Sequence, residues 1–221
     1  MPAQMKHSTK TFLILGDSWG VPNTLPVGDP PETHIEHLLA GIGHRVINCA
    51  KNAGSNQDSI RRARKIDEKV DYCIWFHTEL LRDRYSTKID INQHRYTIQQ
   101  LIDAIADKTY AEYDDLIAKL DCRSIVIGGQ APVLGNPRSD YMIRDWRSYL
   151  LMEDMPVQTL CHIDLIESTN CVDTLENKNR MLEKNERVLE AMQNSNLFPD
   201  NCHPGKKAHR GLFGKIKRII C

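Results

Sequence analysis

Three side chains in this sequence have the types needed for nucleophilic acyl transfer. Gly16-Asp17-Ser18 closes the first apolar run, and Asp200-Asn201-Cys202-His203 lies near the other end of the chain. A hydroxyl is a poor nucleophile at neutral pH unless an imidazole takes its proton. The imidazole works best when a carboxylate holds its tautomer and stabilises the imidazolium. Ser18, His203 and Asp200 supply these groups, provided the fold brings the two ends of the chain together.

The elements that would position them follow from the spacing of apolar residues. Thr11 to Leu15 is a short apolar run closed by Gly16, the pattern of a strand buried on both faces. Arg45 to Cys49, Tyr72 to Phe76, Ser124 to Ile127 and Thr159 to Ile166 read as four more strands. Between them, Ile35, Leu38, Leu39 and Ile42 recur at helical spacing, and Ser55 with Asp58 resembles a capping box opening the stripe Ile60, Ala63, Ile66 and Val70. Ile98 to Ile105 and Tyr113 to Leu120 predict two helices, Leu175 to Met192 a charged surface helix, and Pro204 to Ile220 a closing helix with Ala208, Leu212, Ile216 and Ile219 inward. Strands alternating with helices predict a parallel sheet covered on both faces.

In such a sheet ligands bind beyond the carboxyl ends of the strands, where loops and helix N-termini converge. Ser18 follows the first strand. Gly54 follows the second, just before a helix, so its N–H could face a developing negative charge with no side chain in the way. Residues after the third strand would form the next wall.

Composition narrows the partners. The chain has 221 residues, enough for one domain spanning 1–221, with 1–10 read as a flexible N-terminus. Lys plus Arg equals Asp plus Glu at 29 each, so no global field recruits nucleic acid or an anionic membrane. No stretch approaches the roughly 20 apolar residues of a membrane span, and the polar N-terminus lacks a secretory apolar segment, so a cytoplasmic location is expected. Seven cysteines without a C-x-x-C pair read as free thiols. No Walker lysine or G-x-G-x-x-G supports a nucleotide site.

The chain resembles the SGNH, or GDSL, hydrolase superfamily. The resemblance lies in Leu13-Ile14-Leu15-Gly16-Asp17-Ser18, in Val46-Ile47-Asn48 leading to Asn52-Ala53-Gly54-Ser55, and in Phe198-Pro199-Asp200-Asn201-Cys202-His203-Pro204. It implies a flavodoxin-like three-layer α/β/α sandwich with a five-stranded parallel sheet, and hydrolysis of acetyl or acyl esters on carbohydrates or lipids. It also implies Ser18 as nucleophile, His203 as base, Asp200 as its orienting carboxylate, and the N–H groups of Ser18 and Gly54 as oxyanion donors.

The third block departs from the family pattern. The family places Gly-x-Asn-Asp after the third strand, with the Asn donating to the oxyanion. This chain reads Trp75-Phe76-His77-Thr78-Glu79-Leu80, with Glu79 where the Asn belongs. An ionised carboxylate has no proton to give and would repel the oxyanion. Glu79 could be held protonated by burial, Thr78 or His77 could donate instead, or the protein could bind a ligand without turning it over. The Trp-Phe-x-Thr-Glu run followed by Arg82 is similar to divergent SGNH-like proteins of tailed phages, which would make the chain virion-associated.

Several residues admit plainer roles. Ser18 could be a helix cap, Asp17 a turn-former, and Asn56 a cap or a substrate contact. Trp19 beside the nucleophile could stack on a sugar ring. Arg82 and Arg84 could hold an anionic substrate or lie on the surface. His34 and His37 read as a solvated pair and not as metal ligands, because no further ligand completes a site, and Cys202 could be a competing nucleophile. The loops 20–31 and 129–140 would shape the pocket. The reading is a serine esterase working on a small-molecule, glycan or lipid ester without metal or organic cofactor. The competing reading is an SGNH-fold binding or structural module.

Overall fold

A computed structural model describes residues 8–22, 25–26, 28–85, 97–129, 133–144, 146 and 203–220. Its centre is a five-stranded parallel sheet in the order β2-β1-β3-β4-β5. The strands are β1 (Thr11–Gly16), β2 (Arg45–Asn48), β3 (Tyr72–His77), β4 (Arg123–Gly128) and β5 (Tyr141–Ile143). This is the strand order of the flavodoxin-like doubly wound fold, with its topological switch point between β1 and β3.

The apolar runs are strands because both faces of the sheet are covered. Phe12, Ile14, Tyr72, Ile74, Phe76, Ile125 and Ile127 pack on one face with Ile35, Leu39, Ala208, Leu212 and Ile216 of α1 (Ile35–Gly41) and α4 (Lys206–Ile220). Leu13, Leu15, Cys73, Trp75 and Val126 alternate to the other face. There they meet Ile60 and Ala63 of α2 (Asn56–Ala63) and Ile105, Tyr110, Tyr113, Leu116 and Ile117 of α3 (Ile98–Leu120). The period-two alternation of each strand feeds both layers, which completes the α/β/α sandwich.

Some expected boundaries change. The two helices read between residues 98 and 120 are one helix of 23 residues. It opens on a capping box in which Thr97 and Gln100 exchange hydrogen bonds, and it ends at Asp121 in the left-handed region. Helix α2 stops at Ala63, so Ile66 is only partly buried against the core, and Val70 is buried on the approach to β3. Ile42, read as part of the apolar spacing of the first helix, is its exposed C-cap.

The fifth strand of the described sheet is Tyr141–Ile143. The expected strand Thr159 to Ile166 and the helix Leu175 to Met192 lie outside the described residues, as does Asp200. Strand β5 is pinned to β4 by paired bonds, Asp140 N–H to the Ser124 carbonyl at 2.9 Å and Ser124 N–H to Asp140 Oδ2 at 2.7 Å. Cys49, Cys73 and Cys122 are free thiols. No described helix is long and apolar enough to cross a membrane.

Candidate active site

The turn carrying Ser18 is built at the β1/β3 switch point. Gly16 has φ +131°, and a β-carbon there would run into the carbonyl and Cβ of Phe76 on the adjacent strand. Glycine is therefore required for the chain to leave β1 at this angle. Ser18–Gly20 form a 3-10 turn whose N-cap is Asp17, with Oδ1 accepting the Trp19 N–H at 3.0 Å. The cap that Ser18 could have provided is thus made by Asp17, and Ser18 is the first residue of the turn.

Two residues to which the sequence assigned no part in the site, Asn48 and His34, hold the far side of this turn. Asn48, at the end of β2, donates its amide to the Gly20 carbonyl at 2.7 Å and also to Glu36, while its oxygen accepts the Ala50 N–H. His34 caps α1 by accepting the Glu36 N–H on Nδ1, so its ring proton sits on Nε2 and donates to the Trp19 carbonyl at 3.3 Å. His34 is buried, its ring tilted against that of the buried His209 of α4 with centroids 4.4 Å apart. That overturns its reading as half of a solvated pair. Burial lowers the His34 pKa to about 4, against the bond to Trp19, and holds His209 well below the ordinary range, with His34 adding to the shift. The Asx-like signal at Asn48 and the N-cap position of His34, just ahead of the apolar spacing of α1, were the available clues.

The second wall is the loop from β2 to α2. Ala53 takes a left-handed φ of +54°, and the Gly54 N–H donates to the Lys51 carbonyl at 2.9 Å. A β-carbon on Gly54 would press on that same carbonyl at 2.9 Å. Lys51 N–H donates to the Gly16 carbonyl at 3.2 Å, which joins this loop to the end of β1. Ser55 caps α2 by accepting the Asp58 N–H, as the spacing predicts.

The third wall follows β3. Thr78 is fully buried, its hydroxyl donating to Asp17 Oδ2 at 2.8 Å and its N–H to Asn56 Oδ1 at 2.9 Å. Arg82 donates from Nη1 to the same Asp17 oxygen at 3.2 Å and from Nε to Glu79 Oε2 at 2.6 Å. Glu79 is a third exposed and pairs with Arg82, so it is not the buried acid that was one of the readings of this position. His77 turns to the α3 face, where Nε2 meets the Tyr110 hydroxyl at 3.3 Å, and burial drops its pKa to about 3. It does not face the Ser18 turn.

Two other expected contacts are structural. Asn56 is fully buried with its amide hydrogens on the Thr78 carbonyl and Asp83, and its oxygen accepting from Trp75 Nε1 and Thr78 N–H. It clamps α2 to the β3 loop and has no face for substrate. Asp83 in turn accepts the Gln57 N–H, and its burial raises its pKa. Trp19 is 1% exposed and packs edge-on against Trp146 at 5.6 Å, so its ring has no surface to offer a sugar.

His203 is half-buried just ahead of α4. The far end of that helix lies at the amino end of β4, where Arg123 reaches the Ile219 carbonyl. Helix α4 therefore runs antiparallel to the strands and its entrance, with His203, is at the carboxyl edge that also carries Ser18. The Lys206 N–H donates to Asp29 Oδ2 at 2.7 Å and seats this entrance on the loop before α1. Asp200 and Cys202 lie outside the described residues. Among the described residues no group of three His, Cys, Asp or Glu is placed to share a metal ion.

No family model matches the chain, and no curated protein matches it. Among solved structures it is similar to the psychrotrophic esterase EstA from Pseudoalteromonas sp., at 13% identity over 95% of both chains and a TM-score of 0.44. It is also similar to LAE5, an alpha/beta hydrolase enzyme from the metagenome of Lake Arreo, at 14% identity over 96% of this chain and 94% of the other, TM-score 0.46. AlinE4, a SGNH-hydrolase family esterase, aligns at 16% identity over 57% of this chain and 62% of its own, TM-score 0.35. The fold itself stands on the strand order and register.

Proposed function

We propose that the chain is a serine ester hydrolase of the SGNH type. The observation that carries this reading is the placement of Ser18 on a turn at the β1/β3 switch point, with His203 brought to the same sheet edge from the other end of the chain. Ser18 Oγ attacks the carbonyl carbon while His203 takes its proton, and Asp200 orients the imidazole. Collapse of the adduct expels the alcohol, which receives that proton, and water repeats the cycle on the acyl-enzyme. The N–H groups of Ser18 and Gly54 would hold the oxyanion, Gly54 by sharing or releasing its bond to Lys51.

The substrate class in this reading is an acetyl or short acyl ester, carried on a carbohydrate or a lipid. With Trp19 and Asn56 buried, neither supports a glycan stack or a polar contact, and selectivity falls to the rim formed by Glu79 and Arg82. Hydrolysis of aryl acetates and of acetylated sugars by the protein, by Ser18→Ala and by His203→Ala tests the proposal. Each variant is expected to lose at least about a thousand-fold in kcat, whereas full activity of Ser18→Ala would sink it.

A second reading is a binding or structural module, such as a virion component. The ionic Glu79 on the oxyanion side and the engaged Gly54 N–H favour it. Wild-type protein that is folded, binds esters and turns none over would establish that reading instead.

A further inference from the structure

A tetrahedral intermediate at Ser18 places a full negative charge on the former carbonyl oxygen, and hydrogen-bond donors aimed at it are the largest single source of rate in such sites. The wall beside Ser18 is poorly supplied. Thr78 gives its hydroxyl to Asp17 and its N–H to Asn56, and His77 faces Tyr110 on the opposite layer. Gly54 gives its N–H to Lys51. The charges are adverse too, since Asp17 adjoins the nucleophile in sequence and Glu79 follows Thr78. Two carboxylates thus belong to the two loops that follow β1 and β3.

Arg82 is bonded to both of those carboxylates. Its Nε is anchored on Glu79 at 2.6 Å and its Nη1 on Asp17 Oδ2 at 3.2 Å. A guanidinium is planar and carries five donor hydrogens, so two anchor points fix the orientation of the whole fork. About a third of the side chain is open to solvent, which puts the cation at the rim of the crevice and not in the core. Asp17 is otherwise buried, so the fork is held from the nucleophile's own turn.

We propose that Arg82 is the side-chain donor to the oxyanion formed at Ser18, and that Glu79 and Asp17 are the positioning residues that aim it. The proposal rests on the ester-hydrolase reading above. As the Ser18 Oγ–carbon bond forms, the carbonyl π pair moves to oxygen and the hydroxyl proton moves to His203. Arg82 hydrogen-bonds that oxygen and transfers no proton. The carboxylate at position 79 is then no obstacle, because its charge is spent on holding the guanidinium.

The test compares wild type, Arg82→Ala, Arg82→Lys and Glu79→Gln on a short aryl ester, with inhibition by an alkyl boronate that forms a tetrahedral anion on the serine, and with fluorophosphonate labelling as a separate readout. Arg82→Ala should lose about a hundred- to a thousand-fold in kcat with KM moved only a few-fold, weaken the boronate in proportion, and recover part of the loss with added guanidinium salt. Arg82→Lys keeps the charge but not the fork and should lie between, which keeps the test decisive should the alanine protein fail to fold. Glu79→Gln should lose less than Arg82→Ala. An Arg82→Ala or Arg82→Lys protein with unchanged kcat, or a rise in KM alone, overturns the role of Arg82 while leaving a labelled, active wild type as a hydrolase. Wild type that neither labels nor turns over ester overturns the hydrolase reading and this inference with it.

Discussion

The Thr78 hydroxyl donates to Asp17 Oδ2 at 2.8 Å, and this bond closes the crevice between the ends of β1 and β3 one residue ahead of Ser18. Both side chains are buried, Asp17 at 2% exposure and Thr78 at 0%. Thr78→Val keeps the shape and removes the donor, leaving a buried carboxylate oxygen with Arg82 alone. The expected loss is about 1–3 kcal/mol of stability, read as a lower urea midpoint, with Thr78→Ser closer to wild type. Equal midpoints for Thr78→Val and wild type would show that the bond contributes nothing.

Asn56 makes a sharper case because its amide uses both of its ends. Asn56→Ala would orphan the Trp75 indole N–H and the Thr78 N–H together, at about 1–3 kcal/mol for each buried group left without a partner. Stability should fall strongly while the KM of the surviving folded protein stays near that of wild type. A rise in KM without loss of stability would return Asn56 to the substrate.

Gly16→Ala combines a backbone at φ +131° with a β-carbon driven into Phe76. The positive φ alone costs of order 1–3 kcal/mol, and the overlap with a strand carbonyl cannot be relieved by a rotamer change. The protein is expected to express poorly or to melt well below wild type. Gly214→Ala is the control, since nothing lies near a β-carbon at that half-buried helical position, and it should be neutral or slightly stabilising.

The buried histidines give a pH dependence of defined sign. His34 titrates near 4 in the folded chain against 6.5 in its unfolded state, so between these values the unfolded chain holds the proton and the folded chain does not. Its contribution is full above about pH 6.5 and is lost as pH falls toward 4. His77, near 3, and His209, also lowered, act in the same direction. The urea midpoint should therefore be lower at pH 5 than at pH 7.5, and His209→Leu should reduce the difference. A difference no smaller in His209→Leu would remove His209 from the account.

What the sequence made legible was whatever depends on local spacing. Gly16-Asp17-Ser18 read as a strand-to-turn junction because an apolar run ended on glycine, and α4 read correctly because Ala208, Leu212 and Ile216 keep helical spacing in a basic segment. Helix α3 was split in two because the buried Thr109 is polar and interrupts the apolar stripe. Strand β5 was missed because three residues carry too little alternation to read, and its register comes from Asp140 pairing with Ser124 on the adjacent β4.

The site residues divide in the same way. The turn that carries Ser18 was legible from Gly16 closing an apolar run, whereas the burial of Trp19 depends on Trp146, a partner that no local pattern announces. The Glu79–Arg82 pair lay three positions apart in plain view, yet its attachment to Asp17 exists only after β1 and β3 become neighbours. His34 was misread because a histidine near another polar residue suggests solvent, whereas its place as cap of α1 and the packing of α4 over it take it into the core.

The most direct measurement on the central claim is reaction of the folded protein with a fluorophosphonate, read by intact mass beside Ser18→Ala and His203→Ala. A single adduct on wild type that is absent from Ser18→Ala and strongly slowed in His203→Ala is the result predicted for an activated serine at the β1/β3 crevice. An unlabelled wild type, or an adduct that persists in Ser18→Ala, would contradict it.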